Sequence, residues 1–170
     1  MLDKGRKDEN LMNVFNKHDL GDFSFDEIIT YFSKLEGVTS TEDEIRKEID
    51  GYLRLDEKLA DLILKLKSSG FKTMLLSNAD SKYFEEKIYK CYPQFKSLFN
   101  EIVISSDVKM IKPNKDIYLY ALEKIKSKPK ECLFIDDSRS NVDAAIELGI
   151  NGFLYTNFET FLDYIKTLDI

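Results

Sequence analysis

Cysteine and histidine are scarce in this 170-residue chain, and that scarcity excludes several classes of site. The two cysteines, Cys91 and Cys132, are far apart, so we expect neither a disulfide framework nor a cysteine zinc site. Cys132 falls in an apolar stretch and is expected to be a plain core residue. The single histidine, His18, argues against His-based triads and His-rich metal sites, and we expect it on the surface or in a loop.

Long apolar runs and an excess of positive charge are also lacking. No apolar run reaches the roughly 18 residues of a membrane span, so no membrane association is expected. Lys plus Arg is 25 and Asp plus Glu is 31, giving a net charge of -6, which argues against nucleic-acid binding because that requires a basic face. The polar residues 1–10 do not resemble a signal peptide, so a reduced, cytoplasmic setting is expected. Hydrophobic residues make up 43%, enough for one domain and a small appendage.

Residues 1–54 predict a small unit made only of helices. Ser24 and Glu27 have the spacing of a capping box ahead of an apolar stripe, and the helix that follows is expected to end at Gly37. Another helix is expected to begin near Thr41. We therefore predict a first unit over residues 1–54 and a second over residues 55–170.

Residues 55–170 alternate between short apolar strands and helices, which is typical of an α/β, Rossmann-like parallel sheet covered by helices on both faces. Ser140 is expected to cap the fourth helix of this unit, and Gly149 to end it. Strands are predicted at residues 71–76, 101–104, 131–135 and 151–155. Helices are predicted at residues 56–69, 81–91, 114–125, 141–148 and 158–168, with a loop over 105–113.

Two adjacent carboxylates, Asp136 and Asp137, directly follow the apolar strand that ends at Ile135. Burying carboxylates is costly unless a cation or hydrogen-bond donors are present. Mg2+ is a suitable partner because it takes oxygen ligands and keeps waters that a phosphate can replace. Alternatively, the two residues cap the following helix and favour its positive end. Two carboxylates in a row after a buried strand favour a metal or phosphate site.

Other polar residues are expected to join this pair, because loops at the carboxyl ends of parallel strands open on one side of the sheet. Ser77 and Asn78 follow the first strand, and Lys112 precedes a helix. A hydroxyl, an amide, a cation and a metal anchor together suit a phosphoryl group. Each residue alone has an ordinary explanation as a turn residue or a solvated lysine, so the prediction depends on their joint occurrence.

Three motifs in this order resemble those of the haloacid dehalogenase-like hydrolases. The resemblance is to the branch with a helical cap, which includes small phosphatases and the phosphatase half of epoxide hydrolases, and it covers about residues 55–168. The motifs are Leu75-Leu76-Ser77-Asn78, then Ser106-Asp107-Val108 through Lys112-Pro113, then Phe134-Ile135-Asp136-Asp137-Ser138 with Asn141.

This resemblance implies a Mg2+-dependent phosphatase that acts on small phosphorylated molecules. Ser77 and Asn78 would bind the phosphate, and Lys112 would balance the negative charge of the reacting groups, so that Ser77 and Lys112 would be the catalytic residues present. The unit at residues 1–54 would be part of the cap that selects substrates.

The same resemblance implies a role for each acidic residue of the last motif. Asp137 would be the direct Mg2+ ligand. Asp136 would act on the ion indirectly, through a water molecule or through the groups that ligate it, and Asn141 would be a supporting residue.

One motif of the family is missing from this sequence. The family's first motif is a strand that ends in D-x-D, whose first Asp is the nucleophile and whose second is the general acid and base. Asp19-Leu20-Gly21-Asp22 has the wrong spacing, and Asp3 follows no apolar run. The chain is expected to begin just past this motif and to be inactive by itself.

Loss of this motif would also remove the strand that lies between those at 71–76 and 131–135 in the family. Each buried hydrogen bond left unmade costs about 1–3 kcal/mol. Three remedies are open: the flanking strands pair directly, a segment near residues 1–16 fills the gap, or a second chain supplies a strand as a homodimer or another partner.

The sequence leaves alternative functions open. The first is a phosphatase that is completed by another strand, and the second is a non-catalytic phosphate-binding, Mg2+-binding or interaction protein. A receiver-like domain is less favoured, because its acidic residues and lysine occur in the reverse order.

Overall fold

The computed structural model describes residues 9–168. Its first part is helical, with α1 (Glu9–Asp19), α2 (Phe25–Ser33) and α3 (Glu42–Tyr52). The predicted capping box at Ser24 is confirmed, and Thr41 forms a second one with Glu44. The prediction that Gly37 ends α2 is wrong, because the helix already ends at Ser33 and Gly37 lies in the following turn.

The second part alternates between helices and short strands, as the sequence predicts. Its strands are β1 (Met74–Ser77), β2 (Glu101–Ile104), β3 (Leu133–Asp136) and β4 (Asn151–Leu154). Its helices are α4 (Glu57–Ser68), α5 (Ser81–Tyr83), α6 (Tyr89–Cys91), α7 (Ser105–Val108), α8 (Lys115–Ile125), α9 (Arg139–Glu147) and α10 (Phe158–Lys166).

The strands form two parallel pairs, which confirms the α/β class. In the first pair, Met74 of β1 lies opposite Glu101 of β2, and in the second pair Leu133 of β3 lies opposite Asn151 of β4. Each pair is a two-stranded sheet of its own. Within residues 9–168, no strand lies between β1 and β3 and joins the two sheets.

This arrangement tests the three remedies for the absent central strand. Direct pairing of the flanking strands is wrong, since β1 and β3 share no ladder. Residues 9–16 belong to helix α1 and do not form a strand, whereas residues 1–8 lie outside the described part of the chain. A strand from a second chain stays a prediction.

A common core and one helix hold the two sheets together. Ile117 and Tyr118 of α8 are fully buried in a cluster that contacts Met74 and Leu76 of the first sheet and Phe134 of the second.

Helix α4 contacts the surroundings of both sheets through lysine side chains near its two ends. At its carboxyl end, Lys67 Nζ donates to the carbonyl of Ser97 at 2.7 Å, next to the first sheet. At its amino end, Lys58 pairs with Glu159 at 3.1 Å, beside the second sheet. The helix therefore has polar contacts with both halves, one near each of its ends.

The helical unit docks on the second part through a few polar and aromatic contacts. Asp50 of α3 accepts a hydrogen bond from Lys87 at 2.7 Å, and the rings of Phe25 and Tyr83 are 4.7 Å apart. The hydroxyl of the buried Ser105 donates to the carbonyl of Asp19. The division of the chain at residue 54 stays a prediction.

Local predictions about helices have mixed outcomes. The predicted helix over residues 81–91 has the expected bounds, with a π-helical segment, Phe84–Ile88, between α5 and α6, whereas a short helix, α7, occupies part of the predicted 105–113 loop. Helix α9 begins at Arg139, which places Ser138 and not Ser140 at the N-cap position. Glycine 149, with φ of 80°, follows the end of that helix as predicted.

Predictions for two side chains, Cys132 and His18, have different outcomes. Cys132 packs half-buried against the core, as expected. The prediction that His18 lies on the surface or in a loop is wrong, because it lies half-buried in the last turn of α1, with Nδ1 2.9 Å from the carbonyl oxygen of Phe23.

In the described residues, none of the helices is long and apolar enough to cross a bilayer.

Candidate functional site

Lys112 links the carboxyl ends of the two sheets. Its Nζ donates to the carbonyl of Leu76 in β1 at 2.8 Å and to Oδ2 of Asp136 in β3 at 2.7 Å. Ser77 ends β1 and Asp137 directly follows β3. The fold therefore brings the predicted site residues to one side of the sheets, as expected for loops after parallel strands.

Lys112 and Asp136 form a buried ion pair whose side chains are 9% and 8% exposed. The second carboxylate oxygen of Asp136 accepts from the N–H of Ser138 at 2.9 Å and from the amide of Asn141 at 3.0 Å. Burial acts to raise the pKa of Asp136, but the Lys112 hydrogen bond and charge, with the Ser138 and Asn141 donors, outweigh it and hold the pKa below its usual value. Asp136 is therefore ionised and fully paired.

Asn78 holds the Lys112 loop in place. Its Oδ1 accepts from the backbone N–H of Lys112 at 2.8 Å, and its Nδ2 donates to the backbone carbonyl of Lys112 at 2.9 Å. Both ends of the amide are thus engaged, so a phosphate contact from Asn78 would come from its backbone N–H. The predicted phosphate-binding role of Asn78 stays a prediction.

Ser77 and Asp137 are the open polar groups of the site. Ser77 is half-buried and Asp137 is exposed. Among the described residues, neither side chain has a hydrogen-bond or ion-pair partner. A hydroxyl donor and a carboxylate are therefore available to a ligand beside the paired Lys112.

The oxygen atoms of the candidate site fit a Mg2+ ion only if phosphate and water supply part of its ligands. In the described part of the chain, no group of three or more His, Cys, Asp or Glu side chains is placed to hold a metal ion. Mg2+ is commonly bound through one or two carboxylates, with phosphate oxygens and waters completing its six ligands. Asp137 fits as such a ligand, with the paired Asp136 next to it. The residues therefore fit a Mg2+ ion that binds together with a phosphate.

Tyr118 supports the site through Asn141, a contact that the sequence did not reveal. Tyr118 is 1% exposed, and its hydroxyl donates to the backbone carbonyl of Asn141 at 2.9 Å. Burial and the nearby Asp136 charge raise the pKa of Tyr118, so it remains neutral and able to donate. Only the packing of α8 against α9 brings the two residues together.

Asp19 is a second residue whose position the sequence did not indicate. It ends α1, where its backbone carbonyl accepts from Ser105, and its carboxyl group is half-buried. Burial raises the pKa of Asp19, and the charges of His18 and Lys112 oppose that rise. The helical unit thus carries an acidic group within the electrostatic range of the site lysine.

Comparison with known proteins matches the chain to one family. The profile described as "Hydrolase: haloacid dehalogenase-like hydrolase" matches residues 9–149. This range contains every predicted site residue.

Curated relatives include two bifunctional proteins and one phosphatase. Bifunctional epoxide hydrolase 2 of Mus musculus is 29% identical over 61% of this chain and 19% of its own length. The bifunctional riboflavin kinase/FMN phosphatase of Arabidopsis thaliana is 38% identical over 52% of this chain and 23% of its own. D-ribitol-5-phosphate phosphatase of Bacteroides thetaiotaomicron is 27% identical over 82% and 70%. The chain thus spans about a fifth of the two bifunctional relatives.

Solved structures share the fold. A structure described as a predicted HAD-like family hydrolase from Porphyromonas gingivalis superposes with a TM-score of 0.78 at 26% identity, over 98% of this chain and 82% of that one. An enzyme of the same family from Bacteroides thetaiotaomicron, in complex with magnesium and inorganic phosphate, gives a TM-score of 0.69 at 24% identity, over 90% and 84%.

Proposed function

The chain belongs to the haloacid dehalogenase-like hydrolases, and from this we propose that it forms the phosphate- and Mg2+-binding part of a phosphomonoester hydrolase site. The observation that supports the proposal best is the buried Lys112–Asp136 pair, flanked by the open side chains of Ser77 and Asp137. Relatives named as FMN and ribitol-5-phosphate phosphatases make small phosphorylated molecules the favoured ligands.

Each residue has a distinct part in this proposal. Ser77 donates its hydroxyl to a phosphate oxygen, and Lys112 supplies positive charge beside it. Asp137 ligates Mg2+, and Asp136, held by Asn141, keeps Lys112 aimed at the site. When bound, Mg2+ would neutralise phosphate charge and orient the group.

Turnover requires a group that this sequence does not contain. No D-x-D motif occurs in its 170 residues, and within residues 9–168 no central strand presents a carboxylate nucleophile. We expect the chain by itself to bind phosphate with little or no hydrolysis, because positioning and electrostatics alone leave only a small residual rate. A chain that binds phosphate and Mg2+ without catalysis is the alternative, and the two open strand edges favour an interaction role in either case.

Two further parts of the proposal concern setting and substrate choice. We place the protein in a reducing, cytoplasmic compartment, which its two free cysteines support. Residues 1–54 act as part of a cap that selects substrates, and the contacts of Asp19 with Ser105 and of Asp22 with Lys109 support this placement beside the second part.

The test is calorimetric titration of the purified chain with inorganic phosphate, with and without Mg2+, for wild type, Asp137→Ala and Asp143→Ala. Asp143 is a matched control because it is an exposed aspartate on α9 that pairs with Arg139 at 4.0 Å. We expect Mg2+-dependent phosphate binding that is lost only in Asp137→Ala.

Hydrolysis of an aryl phosphate is measured in parallel. A phosphate affinity that is the same with and without Mg2+, and the same in wild type and Asp137→Ala, would refute the proposed site. Mg2+-dependent turnover that disappears in Asp137→Ala would refute the expected inactivity and show that another group replaces the nucleophile.

A further inference from the structure

The aromatic ring of Phe134, in β3, lies next to the site lysine. The ammonium nitrogen of Lys112 is over the face of this ring, 5.6 Å from its centre. A cation at this distance is attracted by the negative face of an aromatic ring. The ammonium has three N–H donors, and among the described residues two of them are used, on Leu76 and Asp136. The ring therefore holds the ammonium without using its third donor, which a phosphate oxygen can accept.

The orientation of the Phe134 ring is set by Tyr118 of α8. The centres of the two rings are 5.3 Å apart and their planes meet at 73°, an edge-to-face arrangement that aromatic pairs favour. Tyr118 is 1% exposed, so close packing leaves it little freedom to change this geometry. The aromatic pair thus supports Lys112 from the interior of the molecule.

The hydroxyl of Tyr118 is connected to the same lysine by a second route. It donates to the backbone carbonyl of Asn141 at 2.9 Å, and the side-chain amide of Asn141 donates to Asp136 at 3.0 Å. The other carboxylate oxygen of Asp136 accepts from Lys112 at 2.7 Å. One tyrosine is therefore joined to the site lysine through a ring on one side and through a chain of hydrogen bonds on the other.

We infer that Tyr118 is a positioning residue that holds the Lys112 ammonium ready for a phosphate, acting through the neighbouring ring and through the chain of hydrogen bonds. Neither Tyr118 nor Phe134 touches the ligand itself. A lysine that is already fixed in the free chain loses less conformational entropy when the ligand binds, and this favours binding. The inference rests on the proposed phosphate site, because it names what keeps the cation of that site in place.

The first variant removes the hydroxyl and keeps the ring. Tyr118→Phe loses the hydrogen bond to Asn141, and its affinity for inorganic phosphate with Mg2+ present should fall about three- to tenfold in calorimetric titration. Tyr120→Phe is the matched control, because Tyr120 lies on the same helix and its hydroxyl has no hydrogen-bond partner among the described residues. The control should bind phosphate like wild type.

The second variant removes the ring beside the lysine. Phe134→Leu keeps an apolar side chain in β3 without an aromatic face, and should weaken phosphate binding about three- to thirtyfold. Phe153→Leu is the matched control, because Phe153 lies on the neighbouring strand β4 and stacks with Phe161 and Tyr164. This control should leave the affinity unchanged, and circular dichroism checks that every variant is folded.

An Asn141→Ala background separates positioning from a purely structural contribution. Asn141→Ala removes the amide that connects Tyr118 to Asp136, so adding Tyr118→Phe should reduce the phosphate affinity much less in this background than in wild type. The same fold reduction in both backgrounds would overturn the route through Asn141.

A second readout does not depend on phosphate. In the free chain, Tyr118→Phe should shift or broaden the NMR signals of the Asn141 side-chain amide, which Asn141→Ala identifies, whereas Tyr120→Phe should leave them in place. If wild type binds no phosphate, the proposed function fails, and this NMR comparison still decides whether Tyr118 positions Asn141. Unchanged Asn141 signals in Tyr118→Phe, or wild-type phosphate affinity in both Tyr118→Phe and Phe134→Leu, would overturn the inference.

Discussion

At the scale of single residues, Lys112 contacts both sheets and belongs to the candidate site. It binds one strand through a backbone carbonyl and another through a carboxylate, and its own backbone is fixed by Asn78. The pair with Asp136 is buried, where a charge without its partner is costly. One lysine therefore connects the two sheets and supplies the positive charge of the site.

Replacing Lys112 by methionine tests this role. Lys112→Met leaves the buried Asp136 carboxylate without its cation, so the free energy of unfolding should fall by about 3–5 kcal/mol. The double variant Lys112→Met/Asp136→Leu removes both charges and should be closer to wild type. Urea denaturation at pH 7 measures both, and equal losses in the two variants would contradict the argument.

The same pair predicts a pH dependence. The pKa of Asp136 is lowered by folding, so its contribution to stability is present above the unfolded value of about 4 and is lost as pH falls through the lower folded value. Wild type should therefore lose more stability than the double variant on acidification. Denaturation curves at several acidic pH values measure the difference.

At the scale of structural elements, the loop after α1 sets how the helical unit meets the rest of the chain. Gly21 has φ of 70°, and a Cβ built there would lie 2.9 Å from the Cβ of Ser106. Lys109 adds a hydrogen bond to the carbonyl of Leu20 and an ion pair with Asp22 at 3.2 Å. A side chain at residue 21 would therefore be strained and would also push α7 away.

Gly21→Ala should accordingly destabilise the protein by at least the 1–2 kcal/mol that a left-handed backbone costs, roughly, for an L-residue. Gly51→Ala is the matched control, since Gly51 lies within α3 with no atom within 4 Å of the added methyl. That change should stabilise by about 0.5–1 kcal/mol, because alanine favours a helix. Thermal and urea unfolding of both variants check the opposite signs.

At the scale of the whole molecule, two small sheets behave as one body because they share a core. Ile117 is 0% exposed in the cluster that contacts both sheets, whereas Leu119 on the same helix is 48% exposed. Neither sheet has enough strands for a stable fold by itself. Helix α8 therefore joins units that would not persist separately.

Ile117→Ala should lower the free energy of unfolding by about 2–5 kcal/mol, because a buried side chain leaves a cavity. Leu119→Ala should change it by much less. Far-ultraviolet circular dichroism and tyrosine fluorescence should give coincident transitions for wild type. Two separate transitions would mean that the sheets unfold independently.

The sequence by itself determined the strand and helix order, the family and the side of the sheet on which polar residues gather. These follow from local patterns: short apolar runs, the capping box at Ser24, a helix start near Thr41, and an acidic pair after a strand. Such signals depend on neighbours along the chain, so they can be read without coordinates.

Only the tertiary structure decided which partners those residues take. It engaged the Asn78 amide on the Lys112 backbone, joined the Asp19 carbonyl to the Ser105 hydroxyl, and set the Tyr118 hydroxyl against the Asn141 carbonyl. Within residues 9–168 it also left β1 and β3 without a ladder between them, where the sequence had allowed the two strands to pair directly. These contacts join residues far apart in the chain, and their geometry depends on how helices pack, which no local pattern records.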